Sequence, residues 1–336
     1  MAVTLYKSTD ASAPSLTGAV GSLVSLLDAI LVNGYGSQSA AGWTIAYTAT
    51  NKRDYKQGTG SNGYYLDVDD SGPGGGGARE ARMRGYETMS ALATGTQAFP
   101  TTGQSSFGVV CRKSNTADST ARAWYCVADA TCFHLFIDTG DATNPWYSMC
   151  FSFGDIFSYK SGDTNNTVII GRTAENTSSY NNESLPMIAN ANASILSATT
   201  FGGQYIDRSF TGIGGSLAIG KMASMLAVGG GSNYTAGSYG YTCIGDIFAV
   251  MAYPNGPDYA LELSPLWIFH AGALRGYLKG LWAPCHRQPL GHGDTFSGSG
   301  NMAGKSFMAL NVAFGFNSNF NHYGGQIVVE TSNTWS

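Results

Sequence analysis

Residues 42–58 read GWTIAYTATNKRDYKQG, and large apolar side chains alternate there with small or hydroxylated ones. A period of two is typical of a β-strand. A second strand is predicted over Tyr64–Val68, and Arg79–Met89 alternates in the same way. Strands that recur about every ten residues, with turn residues between them, favour a mainly β protein with an antiparallel β-sandwich or jelly-roll-like fold.

Two segments have the period of a helix instead. In residues 15–32 the apolar side chains that recur at helical spacing are Leu23, Leu26, Leu27, Ile30 and Leu31. Asn33-Gly34 predicts the end of this N-terminal helix, because both residues tolerate the left-handed conformation. A short helix is also predicted in residues 261–282, opened by Pro265 and with a face made of Leu274, Tyr277, Leu278 and Leu281.

The predicted organisation has three parts. They are an N-terminal segment with the amphipathic helix (1–40), a β-sandwich domain (41–290) and an extended C-terminal arm (291–336). The arm is predicted to end in a strand over Gln326–Glu330. Polar sequence rich in Asn, Ser, Thr and Gly predicts long surface loops within the domain, over 161–200 and 227–240.

The chain carries few charges for its length. Its 336 residues include only 18 basic and 22 acidic ones, so that charged residues make up 12% against a usual ~25%. A soluble monomer normally keeps apart from its neighbours through a densely charged surface. The shortage therefore predicts that part of the surface is buried against other subunits. A monomer with a neutral surface rich in Ser, Thr and Asn is the alternative.

Several classes of protein are disfavoured by the sequence. The net charge is −4, and the densest basic stretch, Arg79 to Arg84, is interrupted by Glu80, so nucleic-acid binding is not expected. No apolar run has the ~18 residues of a membrane span, and the N-terminus lacks the apolar core of a signal peptide. We therefore expect neither membrane insertion nor secretion.

The six cysteines are dispersed through the chain, and none belongs to a CxxC pair. This spacing argues against a zinc site and against a dense disulfide framework. Cysteine is also a small apolar residue that suits the buried positions of strands. Core positions are therefore the preferred interpretation.

Two glycine-rich segments have the outline of a phosphate-binding loop. Residues 298–306 read GSGNMAGKS, but the pattern Gly-x4-Gly-Lys-Ser requires a glycine where Ser299 stands. Residues 58–63 read GTGSNG and match Gly-x-Gly-x-x-Gly, but they lie between two predicted strands. The helix N-terminus that a pyrophosphate needs is missing there, which favours a hairpin loop. No cofactor is predicted.

Two sets of side chains offer metal ligands: Cys285, His286 and His292, and Asp67, Asp69 and Asp70. The spacing of the first set fits no standard zinc pattern. The second set leads into a polyglycine turn, whereas an EF-hand loop continues to a glutamate at a fixed offset. No metal ligand is predicted, and a structural calcium ion at the aspartates is the alternative.

Catalytic patterns are weak. No Gly-x-Ser-x-Gly stretch lies in a strand–turn–helix context, and acidic residues are scarce. We therefore predict no catalytic residue and no enzymatic activity. A pair of carboxylates that are distant in sequence, as in glycoside hydrolases, stays open because sequence cannot reveal it.

Five stretches of the chain carry a resemblance to a known family. They are AGWTIAYTATNKRDYKQG (41–58), GYYLDVDDSGPGGGGAREARMRGYETMSALATGTQAFP (63–100), AWYCVADATCFHLF (123–136), FGDIFSYKSGD (153–163) and LRGYLKGLWAPCH (274–286). With these stretches the chain resembles a family of tailed-bacteriophage virion structural proteins. The resemblance implies a component of a virus particle and brings no catalytic residue with it.

The expected function is that of a structural subunit of a tailed-phage virion, in the tail or baseplate or associated with the capsid. Such a subunit would act by assembling with copies of itself and with other virion proteins. The alternative is a module that binds a glycan or receptor on the host surface. In that case aromatic side chains of predicted loops, such as Trp146-Tyr147 or those of Tyr234–Tyr241, would stack on sugar rings.

Overall fold

The structure, a computed structural model, describes residues 2–141, 149–172, 174–176, 203–214, 221–223, 261–270, 273–284, 290–312 and 326–336. Within these residues the protein is mainly β, and the paired strands are antiparallel. The predicted antiparallel β class is therefore confirmed.

The first eight strands supply the whole of one sheet, a separate hairpin and one strand of a second sheet. In chain order they are β1 (Thr4–Lys7), β2 (Thr44–Ala49), β3 (Lys52–Lys56), β4 (Tyr65–Asp69), β5 (Glu80–Tyr86), β6 (Thr88–Ala91), β7 (Thr94–Thr96) and β8 (Val109–Arg112). A five-stranded sheet has the order β2-β3-β4-β5-β8, and β6 pairs only with β7 among the described strands. The predicted strands on either side of GTGSNG are thus β3 and β4.

Five of the next six strands join β1 in a second sheet. They are β9 (Trp124–Ala128), β10 (Cys132–Ile137), β11 (Met149–Asp155), β12 (Phe157–Ser158), β13 (Thr167–Ile170) and β14 (Gln204–Ile206). The sheet has the order β1-β9-β10-β11-β13-β14. The prediction of a loop over 161–200 is wrong for the residues of β13, which form a strand. The sequence did not reveal this strand because its four residues TVII are short and are flanked by polar residues. Most of that predicted loop, and all of 227–240, lies outside the described residues.

The last six strands belong to a third sheet. They are β15 (Lys221–Ala223), β16 (Leu263–His270), β17 (Ala273–Pro284), β18 (Thr295–Ser297), β19 (Ser306–Asn311) and β20 (Gln326–Glu330). The order is β15-β16-β17-β20-β19-β18, with β12 paired to β17. Strand β20 confirms the strand predicted at the C-terminal end.

One helical segment precedes these strands. It begins as α1 (Ser22–Leu27) and continues as a π-helix over Asp28–Asn33, after which Gly34 has φ 75°. The helical segment contains the five apolar residues of the predicted pattern, and residues 15–21 lie outside it. Leu16 forms a β-bridge with Arg122. Short 3-10 turns lie at Gly77–Arg79 and Gly300–Met302.

The six-stranded sheet is buried on both faces. In β10, Phe133 and Leu135 belong to a core shared with the helix and the five-stranded sheet, and Cys132 and Phe136 belong to a core shared with the third sheet. Successive residues of a strand point to opposite faces, so all six side chains of β10 are buried. The described molecule therefore has three layers of sheet with the six-stranded sheet in the middle.

The helix predicted in residues 261–282 is wrong, because β16 and β17 form an antiparallel hairpin there. Leu278 and Leu281 are three residues apart, yet both belong to the same core. A bulge between them, with Gly280 at φ 66°, changes the alternation of the strand. The apolar residues of this irregular strand thus have the spacing expected of a helix.

In the part of the chain that the structure describes, no helix has the length and apolar character to cross a membrane.

Candidate assembly surface and buried carboxyl pairs

Strand β2 lies at the edge of the five-stranded sheet and is open to solvent. Five of its six side chains are exposed, including Ile45 at 37%, although Trp43 just before it is buried. Only β3 pairs with it among the described strands. The predicted half-exposed strand is therefore present, but neither of its faces is covered.

The β6–β7 hairpin extends this open region. Its strands are also largely exposed, and Tyr47 of β2 donates a hydrogen bond to the Met89 carbonyl oxygen, 3.3 Å away. Neither residues 44–50 nor residues 88–96 contain an acidic, basic or histidine residue. We call these two segments together the charge-free face.

The other described sheet edges are covered or short. Val3, next to β1, donates its backbone N–H to Asn333 at 2.9 Å. Val110 of β8 exchanges backbone hydrogen bonds of 2.9 and 3.0 Å with Arg172, which joins this edge to the six-stranded sheet. Strands β14, β15 and β18 have three residues each. Among the described edges, β2 is therefore the long open one.

A pair of carboxyl groups lies under the hairpin. Asp54 and Asp67 are cross-strand neighbours on β3 and β4, and their side chains share a hydrogen bond. Asp54 is fully buried, its Oδ2 accepts the backbone N–H of Ala93 at 3.2 Å, and its Oδ1 has no other donor. Burial, reinforced by the Asp54 carboxyl, raises the pKa of Asp67 to about 8. The pair therefore holds one proton at neutral pH.

A second pair lies at the base of the same hairpin. Asp207, just after β14, is 1% exposed, and neither carboxyl oxygen meets an ordinary donor among the described groups. Glu87 is its partner and is ion-paired with Arg208. Burial, followed by the negative charge of Glu87, raises the pKa of Asp207 to about 8. The Tyr64 hydroxyl and Arg208, whose Nε lies 4.0 Å from Oδ2, also neighbour the Asp207 carboxyl.

Neither pair has the geometry of a glycoside hydrolase. In that chemistry the two carboxyl groups are at least ~5 Å apart and flank the sugar. Here the members of each pair hydrogen-bond to each other, and Asp54 and Asp207 are buried. In each pair the two carboxyl groups share a proton within the fold.

The aspartates considered as calcium ligands have separate protein partners. Asp67 belongs to the pair described above, and Asp69 is ion-paired with Lys52 at 2.7 Å. Asp70 is fully buried, is ion-paired with Lys113, and accepts the N–H of Leu23 at 2.8 Å at the start of α1. Burial raises the pKa of Asp70 to about 6 despite the positive charge of Lys113. These carboxylates are therefore occupied by protein partners and form no common ion site.

Both glycine-rich segments are hairpin loops. Residues 58–63 connect β3 to β4, and the side chain of Asn62 donates hydrogen bonds to Asn166 and Thr167. Residues 298–305 connect β18 to β19. Neither is followed by a helix N-terminus, so the hairpin interpretation of GTGSNG is confirmed.

The cysteines and histidines are distributed as core and packing residues where they are described. Cys111, Cys126, Cys132 and Cys150 are buried, which confirms the core prediction for these four. His134 is buried and bonds to Ser152 and to the Lys279 carbonyl oxygen, each at 2.8 Å, and burial lowers its pKa to about 4. Cys243, Cys285, His286 and His322 lie outside the described residues. Within the described residues, no three Cys, His, Asp or Glu side chains are grouped as metal ligands.

A second, aromatic surface lies beside β17. The side chain of Tyr159 is 57% exposed, and its ring centroid is 5.9 Å from that of Tyr277. Trp267 donates its indole N–H to the Tyr159 hydroxyl at 3.3 Å. Sequence reasoning missed this group because Tyr159 lies more than a hundred residues from Trp267 and Tyr277. The aromatic residues proposed from sequence, Trp146-Tyr147 and Tyr234–Tyr241, lie outside the described residues.

Comparison with known proteins assigns no family to this chain. No protein-family model matches the chain, and no curated protein matches it.

Proposed function

We propose that this protein is a structural subunit of a tailed-phage virion, in the tail, the baseplate or the capsid surface, and that it works by assembly rather than by catalysis. The charge-free face is the observation that carries this proposal. A surface made of two exposed β segments without one acidic, basic or histidine side chain has little to keep identical molecules apart in water. The sequence resemblance supports the same class of protein.

The layered sheets fit this role. We propose that they form a β-sandwich, in which the six-stranded sheet gives a rigid interior and the outer layers present contact surfaces. Rigid sheets hold such surfaces in fixed directions, which a closed assembly of repeated subunits requires. The buried carboxyl pairs and the Asp70–Lys113 ion pair then serve the internal structure of each subunit.

Two measurements test the proposal. Multi-angle light scattering of the purified chain is expected to give a defined oligomer, and electron microscopy of phage particles that carry a tagged copy is expected to locate it in the virion. A strictly monomeric chain at high concentration, together with its absence from purified particles, would contradict a structural role.

The aromatic surface favours a second candidate function. Tyr159, Trp267 and Tyr277 offer neighbouring rings, of which Tyr159 is widely exposed, and sugar rings stack on such aromatic faces. A host-surface glycan is the corresponding ligand. A glycan array with the wild-type protein and the Tyr159→Ala variant tests this idea: hits that the variant loses support it, and an array without hits contradicts it.

A further inference from the structure

We propose that β2 is the contact through which two copies of this chain associate, by antiparallel pairing of β2 with the β2 strand of a second copy. This inference rests on the proposed role in assembly and names the partner and the contact. The pairing would join two five-stranded sheets edge to edge.

Backbone geometry identifies β2 as the strand that is available. Among the described groups, no backbone hydrogen bond reaches residues 44–49 beyond the ladder with β3 and its hairpin turn. An edge strand presents unpaired N–H and C=O groups that another strand can satisfy. The usual protections of such an edge are lysine, proline, a β-bulge or a very short strand, and of these TIAYTA has only a bulge. The one irregularity is a bulge at Ala46, which has no partner residue on β3.

The absence of charged side chains on the charge-free face favours a second copy of the chain as the partner. The charge-free face offers no cation to an anionic partner such as nucleic acid, and no anion to a basic one. A second copy of β2 brings an equally neutral row of Thr, Ala, Ile and Tyr side chains, so the chain's overall charge of −4 is not concentrated at the contact. Because an antiparallel pair of identical strands has two-fold symmetry, the contact needs no second binding surface.

The register of β2 with β3 supplies a variant that separates association from folding. Thr44 lies opposite Lys56, and Thr48 lies opposite Arg53. In the double variant Thr44→Glu/Thr48→Glu each new carboxylate therefore faces a basic residue inside the subunit, which favours the fold. Across a β2–β2 contact the same change places four carboxylates on two adjacent strands, where they repel one another. We expect the dimer dissociation constant to rise about tenfold or more.

The control adds the same charges to another edge. Thr295 and Ser297 are exposed residues of the edge strand β18 in the third sheet. The Thr295→Glu/Ser297→Glu variant is expected to keep the wild-type association. Ala46→Pro is a second test variant, because proline is tolerated at a bulge of an edge strand but removes an N–H that a partner strand would use. Circular dichroism checks that each variant is folded.

Sedimentation velocity over a concentration series, with hydrogen exchange of residues 44–49, provides the measurement. Weakened association in both β2 variants, with loss of amide protection in that strand and no change in the β18 control, is the expected result. If the wild type associates and both β2 variants associate as tightly as it does, the β2 contact is overturned while a structural role stands. A monomeric wild type overturns the β2 contact and counts against the proposed function as well.

Discussion

Strands β10 and β2 have the same length and opposite surroundings. Both have six residues, and His134 is their only ionisable side chain apart from Tyr47 and Cys132. All six side chains of β10 are buried, whereas five of the six in β2 are exposed. The difference comes from position, since β10 has a strand on each side and a layer on each face. A neutral strand is thus a core element or a contact surface according to what packs on it.

The largest effect is expected in the middle sheet. Phe133 of β10 is fully buried, and its ring lies 5.6 Å from Trp43 and 5.7 Å from Phe151. Phe133→Ala should lower the free energy of unfolding by about 3–5 kcal/mol, because a large cavity replaces the ring. Denaturant titration measures this. Phe296→Ala, at a half-buried ring of the edge strand β18, is the control and should cost clearly less; equal losses would break the comparison between interior and edge.

The next effect concerns ion pairs. Lys113 and Asp70 have no exposed side-chain surface, whereas Lys52 and Asp69, on β3 and β4, are 35% and 23% exposed. Lys113→Met leaves a buried carboxylate without its partner and should cost about 3 kcal/mol. Lys52→Met should cost less than about 1 kcal/mol. Thermal unfolding of both variants side by side measures the contrast, and a harmless Lys113→Met would show that Asp70 is not charged in the fold.

The carboxyl pairs predict how stability depends on pH. Between pH 6.5 and 8, Asp67 and Asp207 retain protons in the fold, since burial raises the pKa of each to about 8, but both are ionised in the unfolded chain. The folded state therefore binds more protons, and stability falls as pH rises. His134, whose pKa is lowered to about 4, affects stability mainly below this window.

Asp67→Asn and Asp207→Asn test this dependence. A neutral amide replaces the protonated carboxyl, so each variant should have a flatter profile of melting temperature against pH in this window. The exposed Asp294→Asn serves as the control and should follow the wild type. A wild-type melting temperature that rises from pH 6.5 to 8 would contradict proton sharing in both pairs.

The smallest effect on folding is expected at the edge itself. Ile45 is 37% exposed, so Ile45→Ala should change the free energy of unfolding by less than about 0.5 kcal/mol. The same variant should weaken self-association if β2 is the contact. A large loss of stability with unchanged association would reverse the roles assigned to β10 and β2.

Sequence predicted the strands whose residues alternate regularly and failed where strands are irregular. Pairing of β3 with β4 follows from the turn residues between them, whereas the bulged β17 imitated a helix. The sequence could not show which strand faces are buried, because the layers on either side of β10 come from opposite ends of the chain.

The two carboxyl pairs also differ in how far the sequence could reveal them. Asp54 and Asp67 lie at equal distances from the loop 58–63, so their pairing could have been inferred from the predicted hairpin. Glu87 and Asp207 belong to separate parts of the chain, and no local pattern connects them. The charge-free face had a visible signal in its composition, but the exposure of both segments was not visible.

The order of strands in the middle sheet also determines when it can form during synthesis. Strand β1 pairs with β9, so Thr4 can reach its pairing partner only after Ala128 has been synthesised. At about 5–20 residues per second this takes roughly 6–25 seconds. The β2–β5 meander is made of neighbouring segments and can form well before then. During that interval its open strand is exposed on the nascent chain, so slower synthesis lengthens the time in which it can pair with another chain.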